Sequence, residues 1–266
     1  MSIIKSNGID IEYFIHGLGE PVIFVHGSSL DASFYDETTS LLEGDFKIIT
    51  YNRRGYGKSS RYKETGTIGD QVEDLKGLMD GIGIKSAHLN GHSSGGAICF
   101  AFAMKYPDMV QTISLDEAML WQSMPIAEEI INAFAGVGEK YEREGAKAAM
   151  CFAWEMMCGG DVYQRMPEGG FDRIIENIGT YFIEIGAFVK WIPTREELSS
   201  VKIPILSIIG EKSKEIHYAY QKQHDLVKEC LPHTIEYTLP NATHLLFIEN
   251  PTDFADAIKG FLKKNR

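Results

Sequence analysis

The chain has no run approaching the ~18 consecutive apolar residues of a membrane span, and Met1 to Asp10 lacks the apolar stretch of a secretory leader. A cytoplasmic protein without a membrane partner is therefore expected. Cysteine is sparse. Cys99, Cys151, Cys158 and Cys230 are scattered without metal-ligand spacing, and a chain of 266 residues can build a core without disulfides. The pattern implies no metal, and the thiols are expected to be reduced. Positive charge is also short: 26 Lys and Arg face 37 Asp and Glu, a formal net charge of −11. Only Arg53-Arg54 and Lys263-Lys264 cluster, too little for a nucleic-acid footprint. The remaining balance, 44% hydrophobic and 24% charged, is that of an ordinary folded domain.

Short β-rich runs recur at Ile11 to Ile15, Val22 to His26, Phe46 to Tyr51, Ala87 to Asn90, Val110 to Leu115, Ile205 to Ile209 and Thr234 to Leu239. Several are nearly continuous apolar stretches, which suit strands buried on both faces of a mostly parallel sheet. Helical patterns lie between them at Ala32 to Leu42, Ile68 to Asp80, Ser94 to Lys105, Ile216 to Cys230 and Thr252 to Leu262. The alternation predicts an α/β fold with helices on both faces of the sheet. The first two runs, joined across Gly17-Leu18-Gly19, read as an antiparallel edge.

This rhythm stops between Ala118 and Ser199, where helical patterns at Ile126 to Ala135, Glu139 to Met157 and Phe171 to Val189 replace strands. The expected organisation is a core of residues 1–117 and 200–266 with a helical cap, 118–199, inserted after the sixth strand. Six of the ten methionines fall between Met119 and Met166, alongside Trp121, Phe152 and Trp154. Methionine suits adaptable apolar surfaces, but inserted helices also need a core of their own, and that plainer use is favoured for any single residue.

Chemistry concentrates where the run Ala87 to Asn90 meets Gly91-His92-Ser93-Ser94-Gly95 and then a helical pattern. Gly-x-Ser-x-Gly at a strand-to-helix junction places a serine at the tip of a sharp turn, with small flanking residues letting strand and helix approach. Ser93 is the candidate nucleophile. The helix starting at Ser94 aims its free N–H groups at the point where an acyl intermediate would carry negative charge. In such an architecture a tight turn after an early strand, here His26-Gly27-Ser28-Ser29, supplies a second backbone donor. Ser28 and Ser94 are thus the expected oxyanion-hole residues. His26 and His92 are read as structural.

A serine needs an imidazole within reach. Of the eight histidines, His244 follows the last strand run in the loop Pro240 to Thr243, which emerges at the same edge of a parallel sheet as Ser93. His217, His224 and His233 read as histidines on or beside a helical surface. The acid that orients His244 is not unique in the sequence: Asp116 and Glu117 end the sixth run, while Glu211 and Glu215 follow the seventh.

Together these residues resemble the α/β-hydrolase superfamily: His26-Gly27, then Asn52-Arg53-Arg54-Gly55-Tyr56-Gly57-Lys58-Ser59, the serine elbow, and Thr243-His244. Asn52 stands where the family usually has Asp, and Gly57-Lys58-Ser59 only mimics the end of a phosphate-binding loop, because the glycine required earlier is absent. The family's usual acid position after the seventh strand holds Ser213. An acid at the end of the sixth strand resembles zearalenone-type lactone hydrolases, which also carry a Ser-Ser-Gly elbow and a Tyr-Pro-Asp such as Tyr106-Pro107-Asp108; this resemblance implies Glu117, with Asp116 as the alternative. The activity it implies is hydrolysis of a small-molecule carboxylic ester or lactone with an apolar moiety, through an acyl-enzyme and without a cofactor. A hydrolase-fold receptor with little turnover, or a C–C hydrolase or perhydrolase on the same residues, are the alternatives.

Overall fold

The computed structural model describes residues 1–62, 66–120, 122 and 124–265. Eight strands form one sheet in the order β1-β2-β4-β3-β5-β6-β7-β8. They are β1 (Ser2–Ser6), β2 (Ile9–His16), β3 (Pro21–Val25), β4 (Lys47–Tyr51), β5 (Ala87–His92), β6 (Val110–Asp116), β7 (Ile205–Gly210) and β8 (Ile235–Leu239). From β4 to β8 every pairing is parallel.

The period-2 alternation of strands divides the core. Ile23 and Val25 of β3 join Ile49, Leu89, Ile113 and Leu115 on one face, whereas Val22 and Phe24 join Ile48, Leu206 and Ile208 on the other. The first face is covered by helices Ile68–Gly81, Ser94–Lys105 and Ala219–Cys230, and the second by helix Pro251–Lys264 and part of the helical segment. Local signals set several ends. Thr67 and Asp70 exchange hydrogen bonds as a capping box, and Pro251 opens the last helix behind an Asn250 cap.

Two strand expectations change. β1 has no counterpart among the expected runs, because its exposed, alternating Ser2 to Ser6 lacks the apolar run of an inner strand; its signal is the turn Asn7-Gly8, both at positive φ, which suits a hairpin. The antiparallel edge is real, but β2 pairs with β1 and β4 and not with β3. At Gly17 (φ +68) the connection packs so tightly that a Cβ would lie 2.3 Å from the carbonyl oxygens of Glu43 and Phe46. The chain thereby passes the start of β4 before β3 enters on its far side.

Between β6 and β7 the described residues are helical, with helices Ala127–Glu144, Ala146–Cys158, Val162–Arg165, Gly170–Glu176, Ile178–Phe188 and Arg195–Ser199. The first of these runs unbroken through Gly136 and Gly138, where two helices were expected to be separated. The break comes at Gly145 (φ +86). Met150 and Trp154 are buried in the core, whereas Met119, Met156 and Met157 line a cleft; Phe152 is partly exposed. Trp121 lies outside the described residues. No helix among the described residues is long and apolar enough to cross a membrane.

Candidate active site

Ligand sites in open α/β sheets form beyond the carboxyl ends of the parallel strands, and there the loops after β3, β4, β5, β6 and β8 converge. β5 is wholly buried. It delivers Ser93 with φ +51 and ψ −118, followed at once by helix Ser94–Lys105. A backbone in this region costs on the order of 1–3 kcal/mol and persists only where neighbours enforce it. Here the Ser93 N–H donates to Asp116 O at 3.0 Å, and Ser93 O accepts from Met119 N at 2.8 Å and Gly96 N at 3.0 Å. The flanking glycines are required by contact: a Cβ on Gly95 would lie 2.0 Å from Val25 O, and one on Gly91 2.6 Å from Gly95 O.

The β3 loop closes on the same point. A Cβ on Gly27 would sit 2.6 Å from His92 Nδ1 and 3.2 Å from Ser93 Cβ. Ser28 Oγ donates to Ser94 Oγ at 2.9 Å, so the two residues expected to supply backbone donors are adjacent. His26 accepts the Arg53 N–H at Nε2 (3.0 Å) and hydrogen-bonds Gly27 O through Nδ1 (2.8 Å). Burial, helped by Arg53, holds its pKa well below the usual histidine range, and its two bonds hold the loop.

His244 follows β8 and is buried. Its Nδ1 lies 2.6 Å from Glu117 Oε2, while Glu117 Oε1 accepts the Gly210 N–H at 2.8 Å. With a carboxylate as partner, Nδ1 is the donor and Nε2 is left as an acceptor. His92 Nε2–H donates to His244 O at 2.8 Å, fixing the backbone that carries the base. Arg165, from the helical segment, pairs with Glu249 and reaches Thr243 Oγ1 at 3.2 Å, while Glu249 accepts the Thr243 N–H. The residue before His244 is therefore clamped from two sides.

Of the four candidate acids the structure brings only Glu117 to His244. Glu211 is exposed and accepts the Asn241 N–H at 2.9 Å, and Glu215 is exposed on the helical turn after β7. Asp116 is fully buried, and neither of its carboxylate oxygens has a hydrogen-bond partner among the described residues. Burial raises its pKa well above the carboxylate range; the nearby Asn90 amide offsets this partly, and Glu117 adds to it. Because the folded pKa lies above the unfolded value of about 3.9, the proton's contribution to stability is complete below that pH and is lost as pH rises through the folded pKa. Asp116→Asn mimics the neutral acid. Its stability is expected to exceed wild type by a margin that widens from about pH 4 upward, by about 1.4 kcal/mol per unit while the wild-type acid stays protonated. Denaturant midpoints at pH 5 and pH 8 measure this, and a constant difference would contradict it.

The loop after β4 ties several elements together. Asn52 donates to Glu12 at 2.7 Å and accepts the Ala32 N–H at 2.8 Å, and the Lys58 N–H goes to Glu12 at 2.9 Å. Arg53 and Glu184, both fully buried, form a two-pronged pair at 2.5 and 3.0 Å. Burial opposes the Arg53 charge, but Glu184 more than offsets it and the pKa is raised. Tyr56 OH donates to Glu184 at 2.6 Å and accepts the Ser29 N–H at 2.9 Å, and Arg53 Nη2 reaches Ser94 Oγ at 3.4 Å. Glu184, on helix Ile178–Phe188, thus ties the helical segment to both Ser-bearing turns. Removing one partner of a buried pair strands the other charge, so Glu184→Ala is expected to cost about 3–5 kcal/mol. Chemical denaturation checks this, and in Arg53→Met/Glu184→Leu most of the loss should be regained.

Ser93, Glu117 and His244 border a cleft of about 80 Å³, walled mostly by apolar side chains such as Met119, Phe134 and Met157 together with Tyr220, Gln223 and His217. A partly buried serine on a strained elbow beside a carboxylate-paired histidine, at the carboxyl edge of such a sheet, defines the class of α/β hydrolases. The family model for the alpha/beta hydrolase fold matches residues 13–251, so the chain belongs to that family of hydrolases. It is similar to Lipase 3 of Moraxella sp. (strain TA144), 26% identical over 257 residues, which are 91% of this chain and 77% of that protein. It is also similar to the 2-hydroxy-6-oxononadienedioate/2-hydroxy-6-oxononatrienedioate hydrolase of Paraburkholderia phymatum, 35% identical over 111 residues, 40% of this chain and 38% of that one. The chain spans about two fifths of the length of several such curated relatives. Among solved structures, an esterase from Thermogutta terrifontis superposes with TM-score 0.82 at 25% identity, covering 99% of each chain. An enol-lactonase from Burkholderia xenovorans LB400 superposes with TM-score 0.85 at 21% identity, covering 98% of this chain and 100% of that one, a likeness that carries the fold alone. These comparisons show the superfamily and not the narrower likeness to zearalenone-type lactone hydrolases.

Proposed function

We propose that the protein is a serine hydrolase of carboxylic esters or lactones bearing an apolar moiety, with Ser93 as nucleophile, His244 as general base and Glu117 as the acid that orients it. The observation that carries the reading is the 2.6 Å contact between His244 Nδ1 and Glu117 Oε2, made next to a serine held at φ +51. In this reading His244 Nε2 takes the Ser93 proton as Oγ attacks the carbonyl carbon. The Ser28 and Ser94 N–H groups hold the oxyanion, and the protonated imidazole returns the proton to the departing alcohol oxygen. Water, deprotonated by His244, then hydrolyses the acyl-enzyme. The helical segment 118–199 acts as the cap, its apolar wall facing the substrate.

C–C bond hydrolysis runs on the same residues, and the Paraburkholderia relative is named for a dioate, a dianion. No Lys or Arg occurs among the described residues lining the cleft, which favours an uncharged ester. The test is labelling by a fluorophosphonate probe with turnover of p-nitrophenyl esters and lactones. Labelling at Ser93 with sustained turnover supports an enzyme, whereas single labelling without turnover would replace it with a ligand receptor.

A further inference from the structure

His244 reaches the site on the loop after β8, and the bonds that hold that loop decide where the imidazole stands. Two come from the core: His92 Nε2–H donates to His244 O at 2.8 Å, and the Lys212 N–H donates to Ala242 O at 2.9 Å. The others run through Thr243, which is buried. Its N–H donates to Glu249 Oε2 at 2.5 Å, and its hydroxyl accepts from Arg165 Nη1 at 3.2 Å. The same Arg165 Nη1 also meets Glu249 Oε1. Arg165 therefore holds Thr243 twice, directly at its side chain and through Glu249 at its backbone.

Arg165 belongs to the helical segment, on the short helix Val162–Arg165. Its other terminal nitrogen, Nη2, donates to Cys158 O at 2.7 Å and to Gly159 O at 3.5 Å, carbonyls of the kind that a helix end leaves without an intrahelical partner. The helix they end, Ala146–Cys158, brings Met156 and Met157 to the cleft. Met157 O in turn accepts the hydroxyl of Tyr220, whose ring lies 4.9 Å from the His244 ring. One guanidinium thus fastens the cleft wall with one nitrogen and the loop of the base with the other. The fork of an arginine spans both, whereas a lysine ammonium is a single point charge. The ion pair with Glu249 is partly buried, its side chains 29% and 9% exposed, so salt screens it less than a surface pair.

We propose that Arg165 is a positioning residue: it sets the backbone that carries His244 and makes the place of the base depend on the docking of helix Ala146–Cys158. This rests on the Ser93 ester-hydrolase reading. Because His92 and Lys212 still hold the loop, loss of Arg165 loosens the base without removing it. The experiment measures p-nitrophenyl butyrate turnover by wild type, Arg165→Ala, Arg165→Lys and Thr243→Val, each normalised to the sites that a fluorophosphonate titrates to completion. Arg165→Ala is expected to lower kcat per titrated site by about ten- to a hundredfold, the scale of a misplaced catalytic group, with KM changed by less than about threefold. Arg165→Lys should fall between it and wild type. Thr243→Val should lose less than Arg165→Ala, since Glu249 keeps the backbone N–H. Guanidinium chloride at millimolar concentration, far below the molar range that unfolds proteins, should restore part of the kcat of Arg165→Ala and leave wild type unchanged. A purely structural role would lower the number of titratable sites but not kcat per site, and that result overturns the proposal. So does a rise in KM alone, or, should Arg165→Ala not fold, wild-type kcat in both Arg165→Lys and Thr243→Val. A wild type that neither turns over the ester nor takes the probe overturns the Ser93 reading, and this inference with it.

Discussion

Ser93→Ala is expected to lower kcat by about a millionfold, the scale seen when a serine nucleophile acting with its base is removed. The residue is strained, and alanine accepts the same backbone contacts to Asp116, Met119 and Gly96, so the fold should persist. Single-turnover measurement with a p-nitrophenyl ester checks this: the wild type should release a burst of p-nitrophenol as the acyl-enzyme forms, and the variant none. Fluorophosphonate labelling should vanish with it. His244→Ala should fall almost as far, because nucleophile and base act as one unit. Retained turnover in Ser93→Ala would move the chemistry to another group.

The proposed nucleophile and base are legible in the sequence because each lies in a local signal. Gly91 to Gly95 between a strand run and a helical run encodes its own turn, and His244 follows the last strand in a parallel sheet. The proposed acid is not readable to one residue. Along a strand, Asp116 and Glu117 should face opposite sides, but Glu117 at φ +46 leaves strand geometry, with its N–H bound to Ile208 O at 3.0 Å. No sequence pattern announces that change. Long-range pairs were equally silent. Arg53 and Glu184 are 131 positions apart, and nothing local to the Arg53 loop announces that it fastens the helical segment to the serine turns.

Glu117→Gln carries the second largest expected loss, about ten-thousandfold in kcat, as when a triad acid becomes an amide. The wild-type carboxylate accepts twice, from His244 Nδ1 and from the Gly210 N–H, whereas glutamine has one acceptor oxygen and one donor nitrogen. If its oxygen keeps Gly210, its NH₂ faces His244 and favours the imidazole tautomer with the proton on Nε2, where it cannot accept from Ser93. If its oxygen turns to His244, two donors meet at Gly210. Asp116→Asn, by contrast, should retain kcat, and a loss there equal to that in Glu117→Gln would show that the end of β6 acts as a unit. A relocated acid provides a stricter test. Ser213 is buried with no hydrogen-bond partner for its hydroxyl among the described residues, beside Gly210, whose added Cβ would lie 2.7 Å from Ser213 Oγ. Ser213→Asp in a Glu117→Ala background should therefore recover part of the lost kcat by presenting a carboxylate to His244 from β7. Wild-type kcat in Glu117→Gln would remove Glu117 from the mechanism, and with it the reason to expect that rescue.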